Sequence, residues 1–388
     1  MVAAKPTIEV VTARKLEDFA LRALDEATGP GAVVPISLSR AQAWATNPQV
    51  GPDEPVLLVA RLEGRCVGYL GMFPTLFATG EPGVTATVSW LSAFFVLEEL
   101  RGQAVGALLL MQALSLGRSL AVAGPAEEAA ALYAAVGFKA KELPYFRLDV
   151  TRERNWLGLP LRTVRKSLQK VERPVPAVLD RSISGCARGT AFGLTRALAG
   201  AARRRFGPWQ VRPLAGVPEL PESAGDRPGF VRDAAVLDWM LASPWVTTDR
   251  ARSDPRYYFD DYRQVVVHQV VELRPPSPGA ALGWAVVSFD ATLERRKLQL
   301  LDAHVSGDPE AKAEALTVAA LRLAVEHGAT QIVLPAECGP ALARLGRLGS
   351  LFTASTRVDY HRPAAGSPEA TVLAAIQPSY LDGDSPYA

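Results

Sequence analysis

One stretch limits the possible folds more than any other. An apolar run over 84–97 leads into Glu98-Glu99-Leu100-Arg101-Gly102-Gln103-Ala104-Val105-Gly106-Ala107, and a leucine-rich run follows. Val84, Thr85, Thr87, Val88, Trp90, Phe94, Phe95 and Val96 give the first part the β-branched and aromatic content of a buried strand. Leu108, Leu109, Leu110, Met111, Ala113 and Leu114 predict a helix with a broad apolar face. The first N–H groups of a helix have no partner within it, and the macrodipole turns its positive end toward whatever lies there. Gly102, Ala104, Gly106 and Ala107 keep side chains short at this junction, and Arg101 adds a forked cation. Such a junction suits a phosphate group. An ordinary strand-to-helix turn has the same spacing, so spacing alone leaves both readings open.

The residues themselves carry a resemblance. Arg101 to Ala107 resembles the acyl-coenzyme A pyrophosphate loop of the GNAT acetyltransferases, whose pattern is Gln/Arg-x-x-Gly-x-Gly/Ala. Arg101 and Gly106 match, and Ala104 stands where the pattern has its first glycine. After a short predicted strand over 119–123, the sequence Ala-Ala-Leu-Tyr-Ala-Ala-Val-Gly-Phe at 130–138 resembles the family's second signature, with Tyr133 four residues before Gly137. The two signatures cover roughly residues 8 to 150. The resemblance implies an acyltransferase that uses acetyl-CoA as acyl donor and no metal. It implies that Arg101, Gly102, Gln103, Ala104, Val105, Gly106 and Ala107 hold the pyrophosphate. Backbone N–H groups near Phe95 and Val96 would hold the acetyl carbonyl and the pantetheine arm, where a strand splays from its neighbour. Tyr133 would protonate the departing sulfur; the other reading of this tyrosine is packing.

The surrounding pattern predicts a mixed α/β sheet. A strand is expected over 8–11, a helix over 16–27 and a second helix over 39–46 with Ser39 as N-cap. Runs 56–62 and 65–73 read as a hairpin about Glu63-Gly64. Two terminal strands are expected over 139–143 and 145–150. The same order recurs downstream. Residues 8–13 resemble 209–214, Arg40-Ala41-Gln42-Ala43-Trp44 resembles Ala235-Val236-Leu237-Asp238-Trp239, and 56–72 resembles 265–288. Residues 90–114 resemble 298–323, and 119–139 resembles 330–352. The expected organisation is therefore two GNAT-like units, 1–150 and 207–388, joined by 151–206. In the second unit Glu310-Ala311-Lys312-Ala313-Glu314-Ala315 falls opposite residues 101–106, and Leu345 falls opposite Tyr133. Both glycines are gone and carboxylates stand where a pyrophosphate would, which repels rather than attracts it. The second unit is read as degenerate.

Residues 151–206 hold thirteen Arg or Lys and three acids, interleaved with apolar residues such as Trp156, Leu161, Leu168 and Leu198. This predicts a basic amphipathic helical connector; an anionic membrane surface is the other use of such a segment. Aromatic residues for stacking on bases are sparse there, which argues against nucleic acid. Cys66, Cys186 and Cys338 have no metal or redox spacing, and the four histidines, His268, His304, His327 and His361, form no metal pattern. The N-terminus has no signal-peptide core, and the apolar run 82–97 is shorter than the ~20 residues that span a bilayer. A cytoplasmic protein is expected.

The expected activity is transfer of acetyl to the amine of a small-molecule acceptor, an amino sugar among the candidates. The alternatives are a non-catalytic binding or regulatory protein and a peripheral membrane acyltransferase acting on a lipid-linked glycan. No general base stands out. Glu98, Glu99, Glu127, Glu128, Glu142, Tyr145 and His304 are all present, but none earns a catalytic role from its context. Residues 249–262, with Arg256-Tyr257-Tyr258-Phe259-Asp260-Asp261-Tyr262, suit an acceptor contact and are expected to form a lid helix.

Overall fold

The computed structural model describes residues 5–29, 31–149, 177–218, 228–243, 245–259, 262–276, 282–292, 295–367 and 369–375. In chain order the first repeat is β1 (Thr7–Thr12), α1 (Ala13–Glu26), α2 (Leu38–Ala45), β2 (Pro55–Leu62), β3 (Arg65–Ala78), β4 (Thr85–Val96), α3 (Val105–Ser115), β5 (Ser119–Val122), α4 (Glu127–Ala135) and β6 (Lys139–Asp149). A long helix, α5 (Ala177–Phe206), follows. The second repeat is β7 (Gln210–Pro213), β8 (Gly229–Phe230), α6 (Ala234–Ala242), β9 (Val265–Arg274), β10 (Gly283–Ala291), β11 (Arg296–Val305), α7 (Pro309–His327), β12 (Gln331–Pro335), α8 (Gly339–Arg344) and β13 (Thr353–Arg362), followed by α9 (Ala370–Ala375). The fold is mixed α/β. Of the expected basic connector, residues 151–176 lie outside the described residues and 177–206 form α5.

Local chemistry explains several boundaries. Ser37, not Ser39, caps α2, and its Oγ accepts from the Arg40 N–H at 3.3 Å. Glu63 and Gly64 both take positive φ, 51° and 83°, the twist that a two-residue turn needs to join β2 to β3. The two strands expected over 139–143 and 145–150 are one strand, β6. Leu143-Pro144-Tyr145 offers no residue pair suited to a tight hairpin turn, so the chain runs straight on.

Compactness divides the chain otherwise than the linear scheme 1–150, 151–206 and 207–388. One unit comprises 1–143, 216–263 and 357–388; the other comprises 144–215 and 264–356. Each contains a strand that the other repeat would be expected to keep. In the first unit the strand order is β1-β2-β3-β4-β5-β13, with β8 added on β3. Here β4 and β5 are parallel, and β13 pairs antiparallel with β5 through Tyr360↔Val122, His361↔Ala121 and Arg362↔Leu120. In the second unit the order is β6-β12-β11-β10-β9-β7, and Tyr145–Asp149 of β6 pair with β12.

Each unit buries its own core. In the first, α3 and α4 cover one face of the sheet, where Leu70, Met72, Leu91, Leu109, Leu120, Tyr133 and Phe138 pack together. On the other face Trp44 of α2 and Trp239 of α6 both lie against Phe73, with centroids 5.9 Å away in each case. Trp245 meets the same ring edge-on at 4.9 Å. The second unit packs Leu316, Ala319, Ala320 and Leu323 of α7 against its strands and against Leu198, Ala202 and Phe206 of α5.

Candidate functional site

The parallel pairing of β4 with β5 runs from Val88↔Ser119 to Leu91↔Val122 and stops. Beyond Leu91, β4 keeps β3 on one side and has no strand partner on the other among the described residues. The register to β3 also shifts there: Gly71 faces Ser92, Tyr69 faces Phe95, and two residues of β4 oppose one of β3. Ala93, inside this bulge, has φ 50°. A bulge bends its strand and re-aims the backbone groups around it. The Leu97 N–H donates to the Val67 carbonyl at 3.0 Å. Strand alternation therefore turns the Phe95 N–H toward β3 and the Val96 N–H toward the open edge.

A 3-10 turn at Glu98–Leu100 carries the chain from β4 to the loop. Gly102 has φ 82°, and Ala104, the residue before α3, is left-handed at φ 64° and ψ −1°. The first turn of α3 has no side-chain cap and no acid, so its leading N–H groups stay open to an anion. Arg101 is exposed, and its guanidinium has no hydrogen bond or ion pair among the described residues. Gln103 is tied back by its Nε2 to the Glu99 carbonyl at 3.0 Å. Val105 is buried against the sheet. A Cβ on Gly106 would sit 3.1 Å from Phe94 Cζ, so a side chain larger than a methyl group there would push α3 off β4. These features fit a coenzyme pyrophosphate: small residues, unpartnered N–H groups and one free cation at the end of an unpaired strand edge.

Ala104 stands in a backbone region that favours glycine. An L-residue in the left-handed region is strained by roughly 1–2 kcal/mol, part of which a glycine gives back in chain entropy. Ala104→Gly is expected to stabilise the protein by about 0.5–1 kcal/mol, read as a raised urea midpoint at unchanged m-value. A lowered midpoint would show that Ala104 is not strained.

Tyr133 lies on α4, 1% exposed, with its ring 5.1 Å from Phe138 and 6.2 Å from Phe94, whose neighbour Ala93 is in the bulge. Burial pushes its phenol well above the ordinary range, so it holds its proton. Glu98, Glu99, Glu127, Glu128 and Glu142 are exposed, and His304 stacks on Trp284 at 4.5 Å in the second unit. Of the expected lid helix over 249–262, residues 260–261 lie outside the described residues, and the described ones form no helix: 250–252 and 255–259 are turns and bends. Tyr257 and Phe259 instead pack on Tyr69 at 6.3 Å, and the exposed Tyr258 lies 4.8 Å from Phe95. A cavity of about 280 Å³ opens between the end of α1 and the β2–β3 hairpin. Its Arg61 is neutralised by Glu9 at 2.7 Å and Glu26 at 3.6 Å.

Two polar groupings escaped the sequence reading. Arg40 of α2 is 4% exposed; its Nη1 donates to Ser92 Oγ at 3.1 Å, beside the bulge. The guanidinium lies among the rings of Trp44, Trp245 and Tyr257, 5.6 to 5.9 Å from each. An arginine and a tryptophan four apart on one short helix was the available signal. The second grouping is Asp359 and His361 on β13, both buried. It had no signal in the order of the chain.

The corresponding end of the second unit is built differently. β11 has its own bulge, with Asp302↔Val286 and Leu300↔Val287, and its parallel pairing with β12 covers only Lys297–Gln299. Here Asp308 caps α7 by accepting from the Glu310 and Ala311 N–H groups at 2.8 and 3.1 Å. Arg344 bridges Glu310 and Glu314. The N–H groups an anion would use are taken, and the facing carboxylates would repel it.

Residues 21–138 match the Acetyltransferase (GNAT) family. A search among curated proteins finds no match. Among solved structures the chain is similar to a "Probable N-Acyltransferase" from Enterococcus faecalis V583, at 9% identity and TM-score 0.47 over 94% of this chain and 74% of that one. It is similar to a tandem GNAT protein from the clavulanic acid biosynthesis pathway, at 16% identity and TM-score 0.45 over 94% of this chain and 100% of that one. It is also similar to a GCN5-related N-acetyltransferase from Kribbella flavida, at 15% identity and TM-score 0.41 over 93% and 72% of the two chains.

Proposed function

We propose that the protein, whose residues 21–138 match the Acetyltransferase (GNAT) family, is an acyl-CoA-dependent N-acyltransferase, moving acetyl from acetyl-CoA to the amine of a small molecule such as an amino sugar. The observation that carries the reading is the coincidence, at one end of β4, of a bulge, an edge unpaired beyond Leu91 and the uncapped N-terminus of α3. Acetyl-CoA supplies the acyl group as a thioester. Arg101 and the N–H groups of Val105, Gly106 and Ala107 would hold its pyrophosphate. The Val96 N–H, on the open edge, would face the pantetheine arm and the acyl carbonyl. A preorganised donor of this kind is commonly worth ~3 kcal/mol of barrier. Tyr133, kept protonated by burial, would give its proton to the departing sulfur.

Calorimetric titration of acetyl-CoA into the protein, followed by a screen of primary amines for thiol release, tests this. One site per chain is expected, because the α7 end is closed by its own acids. Two sites would overturn the assignment of the second unit. Absence of binding would overturn the acyltransferase reading in favour of a non-catalytic GNAT-like protein.

A further inference from the structure

The first repeat lacks a histidine, and β4 carries no carboxylate that could take a proton from an amine. The strand that completes its sheet supplies one. β13 comes from the far end of the chain and lies beside β5. Through Ala121, His361 shares a row with Trp90 of β4, since Trp90↔Ala121 and His361↔Ala121 are both registered pairs. Registered residues point to the same face. That row lies one residue short of the Leu91↔Val122 pair at which β4 and β5 part. Asp359, two residues before His361, is on the same face and accepts from the Gly124 N–H at 3.0 Å, beyond the end of β5.

Trp90, Lys141, Asp359 and His361 line a cavity of about 10 Å³, the room of one water. The indole N–H of Trp90 is buried and has no hydrogen-bond partner. Ala121, Phe230, Tyr360 and Leu373 complete a mostly apolar lining, so a water is held there by the few polar groups that reach it: the unpartnered Trp90 N–H, Asp359 and His361.

We propose that His361, delivered to the first unit by β13, is the general base of the reaction, acting through a water held between it, Trp90 and Asp359. The proposal rests on the acyltransferase reading. The neutral imidazole takes a proton relayed by the water from the acceptor ammonium. The freed amine forms its N–C bond to the thioester carbonyl carbon as the C–S bond breaks. The sulfur takes a proton from Tyr133, which is restored by the second proton of the acylated nitrogen, and His361 returns its proton to bulk. The neighbours favour the neutral ring. Burial is the largest influence, and Lys141 and Lys139 of β6 add to it, while Asp359 opposes them. Asp359 is itself bound by Arg357 at 2.7 Å. Arg362 follows on the same strand, and Glu369, before α9, is engaged by Ser119 Oγ at 2.5 Å. His361 therefore titrates below the ordinary histidine range and is available as a base at neutral pH.

The test uses the full chain and the best acceptor from a panel of glucosamine, glucosamine 6-phosphate, lysine and spermidine. In wild type kcat/KM should fall on acidification with a limb below the ordinary histidine value. His361→Gln should lower kcat about 10²-fold or more, lose that limb and bind acetyl-CoA as before in calorimetry. Lys141→Met should move the limb to higher pH, and the His361 ring titration, followed by NMR without coenzyme, should move with it. A limb and a kcat that survive His361→Gln would overturn the proposal while leaving the acyltransferase reading intact. Lack of turnover in wild type with every amine would overturn both. A variant that also loses acetyl-CoA binding would show that His361 is structural and overturn the proposal.

Discussion

Arg101→Glu is expected to weaken acetyl-CoA binding about 10²-fold or more at low salt, and Gly106→Trp to abolish it. The two act by different physics. Arg101 is exposed and its guanidinium has no partner among the described residues, so reversing its charge changes the field at the α3 N-terminus and little else. Its effect should shrink as ionic strength rises, because exposed charges are screened over ~10 Å at 0.1 M salt. Gly106 acts by shape. Its ideal Cβ is already 3.1 Å from Phe94 Cζ and 3.6 Å from Val96 Cγ2. An indole there must lift the first turn of α3 from β4 and separate the N–H groups from the open strand edge. Gly106→Ala separates site from fold: Phe94 can give by a few tenths of an ångström, so the melting temperature should change little while affinity drops by an intermediate amount. Calorimetry at two salt concentrations reads both effects. Unchanged affinity in Arg101→Glu and Gly106→Trp together would remove the coenzyme from this loop.

The corresponding end of the second unit differs from the candidate site in one respect. Both units keep the bulged strand and a parallel partner that leaves it early. Backbone architecture is therefore not what distinguishes them. The difference lies at the helix start: Ala104 before α3 offers no side-chain acceptor, whereas Asp308 before α7 satisfies two N–H groups. An internal carboxylate there does the work of an external anion and holds the place permanently. Glu310 and Glu314 of the same helix are both clamped by Arg344.

The sequence was informative where local rules decide. The strand over 84–97, the helix that follows it at 108–114 and the β2–β3 hairpin follow from periodicity, β-branched content and turn residues, and all are found. Ala104 was legible as a departure from a glycine pattern, and its backbone is left-handed, the region that favours glycine. What could not be read was the path of the chain after Leu143. Nothing local marks β6 as continuing into the second unit or β13 as completing the first, because strand partners are chosen by long-range pairing. His361 and Asp359 were therefore invisible as neighbours of β4, and so was the packing of residues 216–263 on the first sheet. The lid helix failed for a related reason: the aromatics of 257–259 found partners in Tyr69 and Phe95 and needed no helix to bury them.

Gly71→Ala is expected to cost about 2–3 kcal/mol, a large effect for one methyl group. Gly71 faces Ser92 across the bulge, and an ideal Cβ on it would lie 2.6 Å from Trp44 Cη2 and 3.0 Å from the Ser92 carbonyl oxygen. Neither neighbour can easily retreat. Trp44 is fully buried, with Phe73 at 5.9 Å, Trp245 at 6.0 Å and the Arg40 guanidinium at 5.6 Å. Ser92 is held by Arg40 from one side and by β3 from the other. The methyl group must therefore displace a packed indole or deform the bulge that opens β4 beyond Leu91. The first outcome lowers stability alone; the second also weakens acetyl-CoA binding, so the two can be told apart by adding a titration to the urea melt. A double-mutant cycle assigns the cause. Trp44→Leu, itself destabilising by about 2–4 kcal/mol through the space it leaves, removes Cη2 from the clash. In that background Gly71→Ala should lose about 1–2 kcal/mol of its effect, the size of coupling seen between residues in contact. Equal effects in both backgrounds would mean that the Ser92 carbonyl, not the indole, sets the limit, and that glycine is kept at 71 for the shape of the bulge.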